Sequence, residues 1–221
     1  MYIISMNIKF TSSALLIVDV QNDFCPTGTL AVKDGSKVID PLNKLAALFF
    51  EKGGKVIATQ DWHTENHASF AVSHKGKKPG DVIKLHSAEQ VLWPVHCVQG
   101  TKGANIHKNL DLTNVSLIIR KGSRTELDSY SAFFENDKKT QTGLDGYLKC
   151  LGIKTIFIGG LATDYCVLYS AMDAVRCGYK TFVIKDAVRG VGIPEGSVEK
   201  AYAQMEKAGI KITDSGRIAT T

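Results

Sequence analysis

Apolar residues occur along the chain in short solid runs separated by helical stripes. Residues 14–20 carry β-branched and apolar side chains on both alternating faces, which predicts a strand buried from both sides. From 36 to 52 the spacing changes. Val38, Leu42, Leu45, Ala46 and Phe49 recur at helical intervals, and Gly53 with Gly54 supplies a C-terminal stop. Further runs at 55–59, 116–119, 154–158, 181–184 and 210–212 predict strands, while stripes at 164–177 and 197–208 predict helices. This alternation predicts an α/β fold: a doubly wound, mostly parallel sheet of about six strands with helices on both faces. The rhythm breaks once, at residues 63–104. An irregular stretch of that length in a compact domain is usually functional or disordered. Its content (His63, His67, His74, His86, Trp93, His96) favours function. No internal repeat or linker interrupts the pattern, so residues 1–221 read as a single domain with a short N-terminal extension over 1–13.

Composition narrows the class. The chain has 221 residues, 44% apolar and 22% charged. A core of that size buries roughly three-quarters of the unfolded surface, so no disulfide or metal staple is required. The formal charge of +5 is spread out. The one local cluster, His74, Lys75, Lys77 and Lys78, reads as a solvated loop, and no nucleic-acid partner is expected. Five cysteines form an odd set without a CxxC pair, which points to a reducing, cytoplasmic setting. The first residues lack the apolar core of a signal peptide. No apolar run approaches the ~20 residues that span a bilayer, so a soluble protein without a membrane partner is expected.

Polar residues at the strand ends carry the chemistry. In open parallel sheets, ligands bind beyond the carboxyl ends of the strands, at the topological switch point. The predicted strands run into Asp19, into Asp61 and His63, into Lys121, and through Gly159 and Gly160 to Cys166. A nucleophilic thiol needs a lowered pKa and a proton acceptor. Cys166 is expected near a helix N-terminus, where the dipole favours a thiolate. Lys121 would add positive charge, and Asp19 would take the thiol proton. The glycines and small Ala162 would let backbone N–H groups face an oxyanion. Separately, Asp61 and His63 are two apart at a strand end, and His96 comes within reach once the long stretch folds back. One carboxylate and two imidazoles suit zinc, iron or manganese with open positions. His67, His86 and Glu89 stand as reserve ligands.

In these pieces the chain resembles the nicotinamidase/pyrazinamidase family, within the isochorismatase-like cysteine hydrolases. The resemblance runs from Ala14 to Thr213. It is carried by Ile17 to Phe24, Thr59 to His63 with His67 to Phe70, Trp93 to Cys97, Lys121 with Gly122, Tyr130 to Phe133, and Gly160 to Val167, all in family order. It implies an isochorismatase-like hydrolase fold and a catalytic triad of Asp19, Lys121 and Cys166. The backbone N–H groups of Ala162 and Cys166 would form the oxyanion hole, often with a cis peptide before the residue matching Ala162. Asp61, His63 and His96 would hold one divalent metal, zinc in the first instance with Fe2+ or Mn2+ as alternatives. That metal would hold the pyridine nitrogen of nicotinamide, with Phe24, Leu30, Trp93 and Tyr130 around the ring. No organic cofactor is implied, and a homo-oligomer is compatible with the resemblance. Between Lys121 and Tyr130 the sequence varies in the family, leaving open whether Arg124 or Asp128 shapes the pocket mouth.

Three rivals are distinguishable. Other hydrolases of the superfamily, such as isochorismatases and N-carbamoyl amidohydrolases, characteristically lack the metal trio. A silent binding protein need not keep Asp19, Lys121 and Cys166 together. A redox sensor would need a resolving cysteine beside Cys166, and none is adjacent in sequence.

Overall fold

A computed structural model describes residues 7–85 and 88–220. A 3-10 turn over Phe10–Ser12 leads into β1 (Ser13–Val18), so the extension ends one residue earlier than expected. Then follow α1 (Ile39–Glu51), β2 (Lys55–Asp61), β3 (Val82–Leu85), β4 (Ala88–Val91), β5 (Leu117–Lys121) and α2 (Leu144–Cys150). The chain continues through β6 (Thr155–Leu161), α3 (Leu168–Arg176), β7 (Lys180–Arg189), α4 (Ser197–Lys207), β8 (Lys211–Thr213) and α5 (Ser215–Ala219). Six strands form one parallel sheet in the order β5-β2-β1-β6-β7-β8. Counted along the chain, that is the 3-2-1-4-5-6 order of a doubly wound sheet, with its switch point between β1 and β6.

The solid apolar runs are explained by burial on both sides. Leu15 and Ile17 of β1 face the layer formed by Leu42, Leu45 and Phe49 of α1 and Ile218 of α5. Leu16 and Val18 face the opposite layer, with Leu148 of α2, Ala171 of α3 and Met205 of α4. Each such large side chain contributes about 1.5–3 kcal/mol by leaving water. Phe49, Phe157 and Phe182 link the first layer, Phe157 and Phe182 being stacked 4.7 Å apart.

Several expectations shift. The first strand stops at Val18 because Asp19 turns into the left-handed region at φ 47°. The predicted helix over 164–177 divides into a π-helical turn at Thr163–Val167 and then α3. The strand expected at 181–184 extends to Arg189. The short α2 and the β3–β4 hairpin escape the periodicity. Both are too brief to display a full pattern, and the hairpin lies inside the stretch that reads as irregular.

That stretch is a folded insertion. β3 and β4 pair antiparallel, and isolated bridges join His63 to Val98 and Phe70 to Trp93. His63 N–H donates to the Cys97 carbonyl at 3.0 Å, and the Trp93 N–H to the Ser69 carbonyl at 2.8 Å. These bonds bring the segment carrying His96 back beside the end of β2.

Candidate active site

All four strand ends named from the sequence meet at the C-terminal edge of the sheet. Asp61 and Lys121 are register partners on β2 and β5, so the ladder itself sets them side by side. Asp19 follows β1. Its N–H donates to Thr59 Oγ1, whose hydroxyl donates back to Asp19 Oδ1 at 2.6 Å. Gln21 clamps the neighbouring strand end: its side-chain amide donates to the Asp61 carbonyl and accepts from the Asp61 N–H. Asp23 accepts from the Cys97 N–H at 2.7 Å and so anchors the His96 segment. The Asp-x-Gln-Asn-Asp run after β1 therefore holds the site together as well as supplying one charged group.

Lys121 is the centre of the network. Its ammonium, on a residue 2% exposed, lies 2.8 Å from Asp19 Oδ2, 2.5 Å from Asp61 Oδ1, 2.9 Å from the Ser129 carbonyl and 3.4 Å from Cys166 Sγ. Burial favours loss of its proton, but the two carboxylates outweigh that and hold its pKa well above the usual lysine range. Burial raises the Asp19 pKa, only partly offset by Lys121, which suits a group that accepts a proton. Burial also pushes the Cys166 thiol well up; Lys121 opposes this and the nearby carboxylates reinforce it. The helix expected to begin around Thr163 does begin there, so Cys166 lies in its first turn. Cys166 sits inside the π-helical turn, a form that recurs at functional sites, with Asp19 and Lys121 in reach of its thiol.

Asp61 joins what the sequence presents as two separate signals. Its Oδ1 faces Lys121, while Oδ2 lies 3.5 Å from His63 Nε2 and 4.0 Å from His96 Nε2. Burial alone would raise its pKa, but Lys121 and the two imidazoles hold it below the ordinary carboxylate range. The three residues place ligand atoms within 4.8 Å of one another. Each histidine is oriented from behind: Nδ1 of His63 bonds the Gly122 carbonyl at 2.9 Å, and Nδ1 of His96 the Pro94 carbonyl at 2.8 Å. A donating Nδ1–H leaves Nε2 as the free lone pair, the outer-shell arrangement of metal-binding histidines. His96 is lowered to about 4 by burial and by His63, so it is a neutral imidazole at physiological pH. Gly122 has φ 61°, and a Cβ there would lie 2.6 Å from the His63 ring; only glycine fits. The donor set fits one divalent metal.

The reserve ligands separate. His67 is buried, with its ring 4.3 Å from that of His63, and belongs to a second group with His63 and Asp128. Glu89 is exposed on β4 and outside the trio. His86 lies outside the described residues.

A small cavity opens onto Asp61, His63, His96 and Cys166. Phe24, Leu30, Trp93, Tyr130, Ala162 and Cys166 line it, as the resemblance implies. The Tyr130 hydroxyl accepts from Gln90 Nε2 and Trp93 Nε1, fixing both rings. The Leu161–Ala162 peptide is cis. Asp128 also lines the cavity, whereas Arg124 pairs with Glu135 outside it. Tyr165 and Val191 complete the lining without having been expected there from the sequence. Tyr165 carries a signal, its place beside Cys166; Val191, beyond β7, carries none. Among the described residues no helix is long and apolar enough to cross a membrane.

Comparison with known proteins identifies the family. The isochorismatase domain family matches residues 13–216. A nicotinamidase of Acinetobacter baylyi is 47% identical over 205 residues, covering 93% of this chain and 94% of the relative. The structure of a nicotinamidase/pyrazinamidase of Acinetobacter baumanii superposes with a TM-score of 0.90 at 47% identity, over 96% of this chain and 99% of that one. The pyrazinamidase of Pyrococcus horikoshii in complex with zinc gives a TM-score of 0.76 at 36% identity, over 92% and 99%. With sequence, fold and the strand-end groups in agreement, the chain belongs to the nicotinamidase/pyrazinamidase family of isochorismatase-domain hydrolases.

Proposed function

We propose that this chain hydrolyses nicotinamide to nicotinate and ammonia, with Cys166 as nucleophile, in the salvage of nicotinamide towards NAD. The observation that carries the reading is the contact of one buried lysine with both Asp19 and Asp61. It puts a thiol and a metal-ligand trio on the same small cavity. A divalent ion held by Asp61, His63 and His96 would act as a Lewis acid that holds a pyridine nitrogen. Zinc is the proposed ion, supported by the zinc-bound relative and by the mixed oxygen and nitrogen donors. The site roles and the reading of 1–221 as one domain are part of this proposal.

In the first step Asp19 takes the proton of Cys166 as sulfur attacks the carboxamide carbon. Lys121 keeps its proton and offsets the negative charge as it passes from Asp19 to the sulfur. The backbone N–H groups of Ala162 and Cys166 would stabilise the oxyanion. Asp19 then returns the proton to the departing nitrogen, and ammonia leaves a thioester on Cys166. Water, deprotonated by Asp19, attacks the thioester; nicotinate departs and the sulfur recovers its proton. Phe24, Trp93 and Tyr130 provide flat apolar surface for the ring. A cytoplasmic setting is supported by five cysteines that are all unpaired.

Ammonia release from nicotinamide, compared with benzamide, tests the reading. Benzamide keeps the ring and the amide but lacks the ring nitrogen. A strong preference for nicotinamide is expected; equal rates would remove the metal–pyridine contact.

A further inference from the structure

Two residues of the cavity lining, Tyr165 and Val191, come from segments far apart in sequence: the turn that carries Cys166 and the loop that follows β7. One carboxylate joins them. Asp164, 6% exposed, accepts from the Val191 N–H at 2.9 Å, the Gly192 N–H at 2.9 Å and the Ser197 hydroxyl at 2.5 Å. Tyr165 adds a further tie, its hydroxyl donating to the Ile193 carbonyl at 2.6 Å. The loop is wedged between α4 and the turn: a Cβ on Gly190 would lie 2.3 Å from Val198 Cγ2 of α4 and 3.1 Å from Asp164 Oδ1. Tyr165 also meets Trp93 edge-on at 4.7 Å and Tyr130 at 5.5 Å, so its ring is shared between the loop attachment and the aromatic lining.

Asp164 has no cationic partner among the ion pairs of the described residues, and its acceptor capacity is directed to one loop. Three donors converging on one carboxylate are hard to replace. An asparagine would turn its NH₂ group, itself a donor, toward at least one of them. We propose that Asp164 is a positioning and specificity-determining residue: it fastens the 190–197 loop to the Cys166 turn and so sets how large an amide ring the cavity admits. This rests on the proposed amide hydrolysis.

The test uses the full chain and two variants, Asp164→Asn and the milder Ser197→Ala, which removes one of the three donors. Amide hydrogen exchange in the peptide spanning 190–197 should speed up by about tenfold or more in Asp164→Asn, the worth of hydrogen bonds to a charged group, with β1 unchanged. Ser197→Ala should shift it in the same direction by less. In parallel, kcat/KM is measured for nicotinamide and for the bulkier 5-methylnicotinamide. The ratio should move toward the bulkier amide in Asp164→Asn, whereas a merely structural role would depress both alike. Unchanged loop exchange in both variants, or equal loss on both amides, overturns the proposal. An inactive parent protein would instead sink the proposed function, while hydrogen exchange would still decide whether Asp164 holds the loop.

Discussion

Asp19, Asp61 and Lys121 stand at or just beyond the ends of adjacent parallel strands, whereas Trp93, Tyr130 and Val191, which line the cavity together with Asp61, are carried outside the six-stranded sheet. In the first group the sheet register does the positioning, and three charged groups are packed so that one cation serves two anions. In the second group position comes from side-chain bonds made across long sequence separations, such as Gln90 to Tyr130 and Asp164 to the 190–197 loop. Strand ends therefore suit the reacting groups, which tolerate little displacement, while loop-borne residues suit the fit to a ring.

The reacting and metal-binding groups carry the largest expected effects. Cys166→Ala should lower ammonia release by about a thousandfold or more, while circular dichroism and metal content stay as in the parent. Turnover that persists would mean another nucleophile. Removing the metal should come next. Purified protein should hold about one divalent ion per chain, as a trio with open positions implies. His96→Ala should lose that ion in elemental analysis, and chelation of the parent should abolish activity. Full activity in metal-free protein would end the metal's role.

Lys121→Met leaves two buried carboxylates without their cation. The expected cost is about 3–5 kcal/mol, read as a Tm lower by about 10 °C. Unchanged stability would show that the strand ends do not depend on the ion pairs. On the loop-borne side the effect should be smaller and of another kind. Trp93→Ala should raise KM for nicotinamide by about tenfold, with less change in kcat, because it removes apolar surface rather than a reacting group. A loss confined to kcat would reassign Trp93 to the chemistry. Smallest of all, Glu89→Ala should leave metal content unchanged and shift stability by less than about 0.5 kcal/mol, since Glu89 is exposed on β4.

The strand-borne half is legible in the sequence because its signals are local. Solid apolar runs mark strands buried on two faces, and the polar residue that ends each run marks the sheet edge. Asp19, Asp61, Lys121 and Cys166 can be assigned to one edge on that ground. His96 is legible as a ligand type, and its arrival beside His63 depends on the insertion folding back through the His63–Cys97 backbone bond. Asp128 stands out in the sequence without a role. Val191 leaves no trace, because a valine after a strand resembles any other apolar residue.

Other departures have physical causes of their own. A helical stripe does not distinguish an α-helix from a π-helical turn, so the sequence pattern assigns Cys166 a helix dipole. The structure adds burial and mixed charge around Cys166 at that helix start. Nor does sequence spacing reveal that Asp61 serves both Lys121 and the histidines.

The sheet, its two covered faces and the identity of the groups at its edge follow from the amino-acid order alone, since hydrophobic periodicity and strand-end polarity are written within a few residues. How those groups share charge, which residues wall the cavity, and that Asp164 ties one wall to the nucleophile's turn emerge in three dimensions. Contacts such as Gln21 to Ala104, separated by 83 positions, depend on how distant segments pack, and no local pattern encodes them.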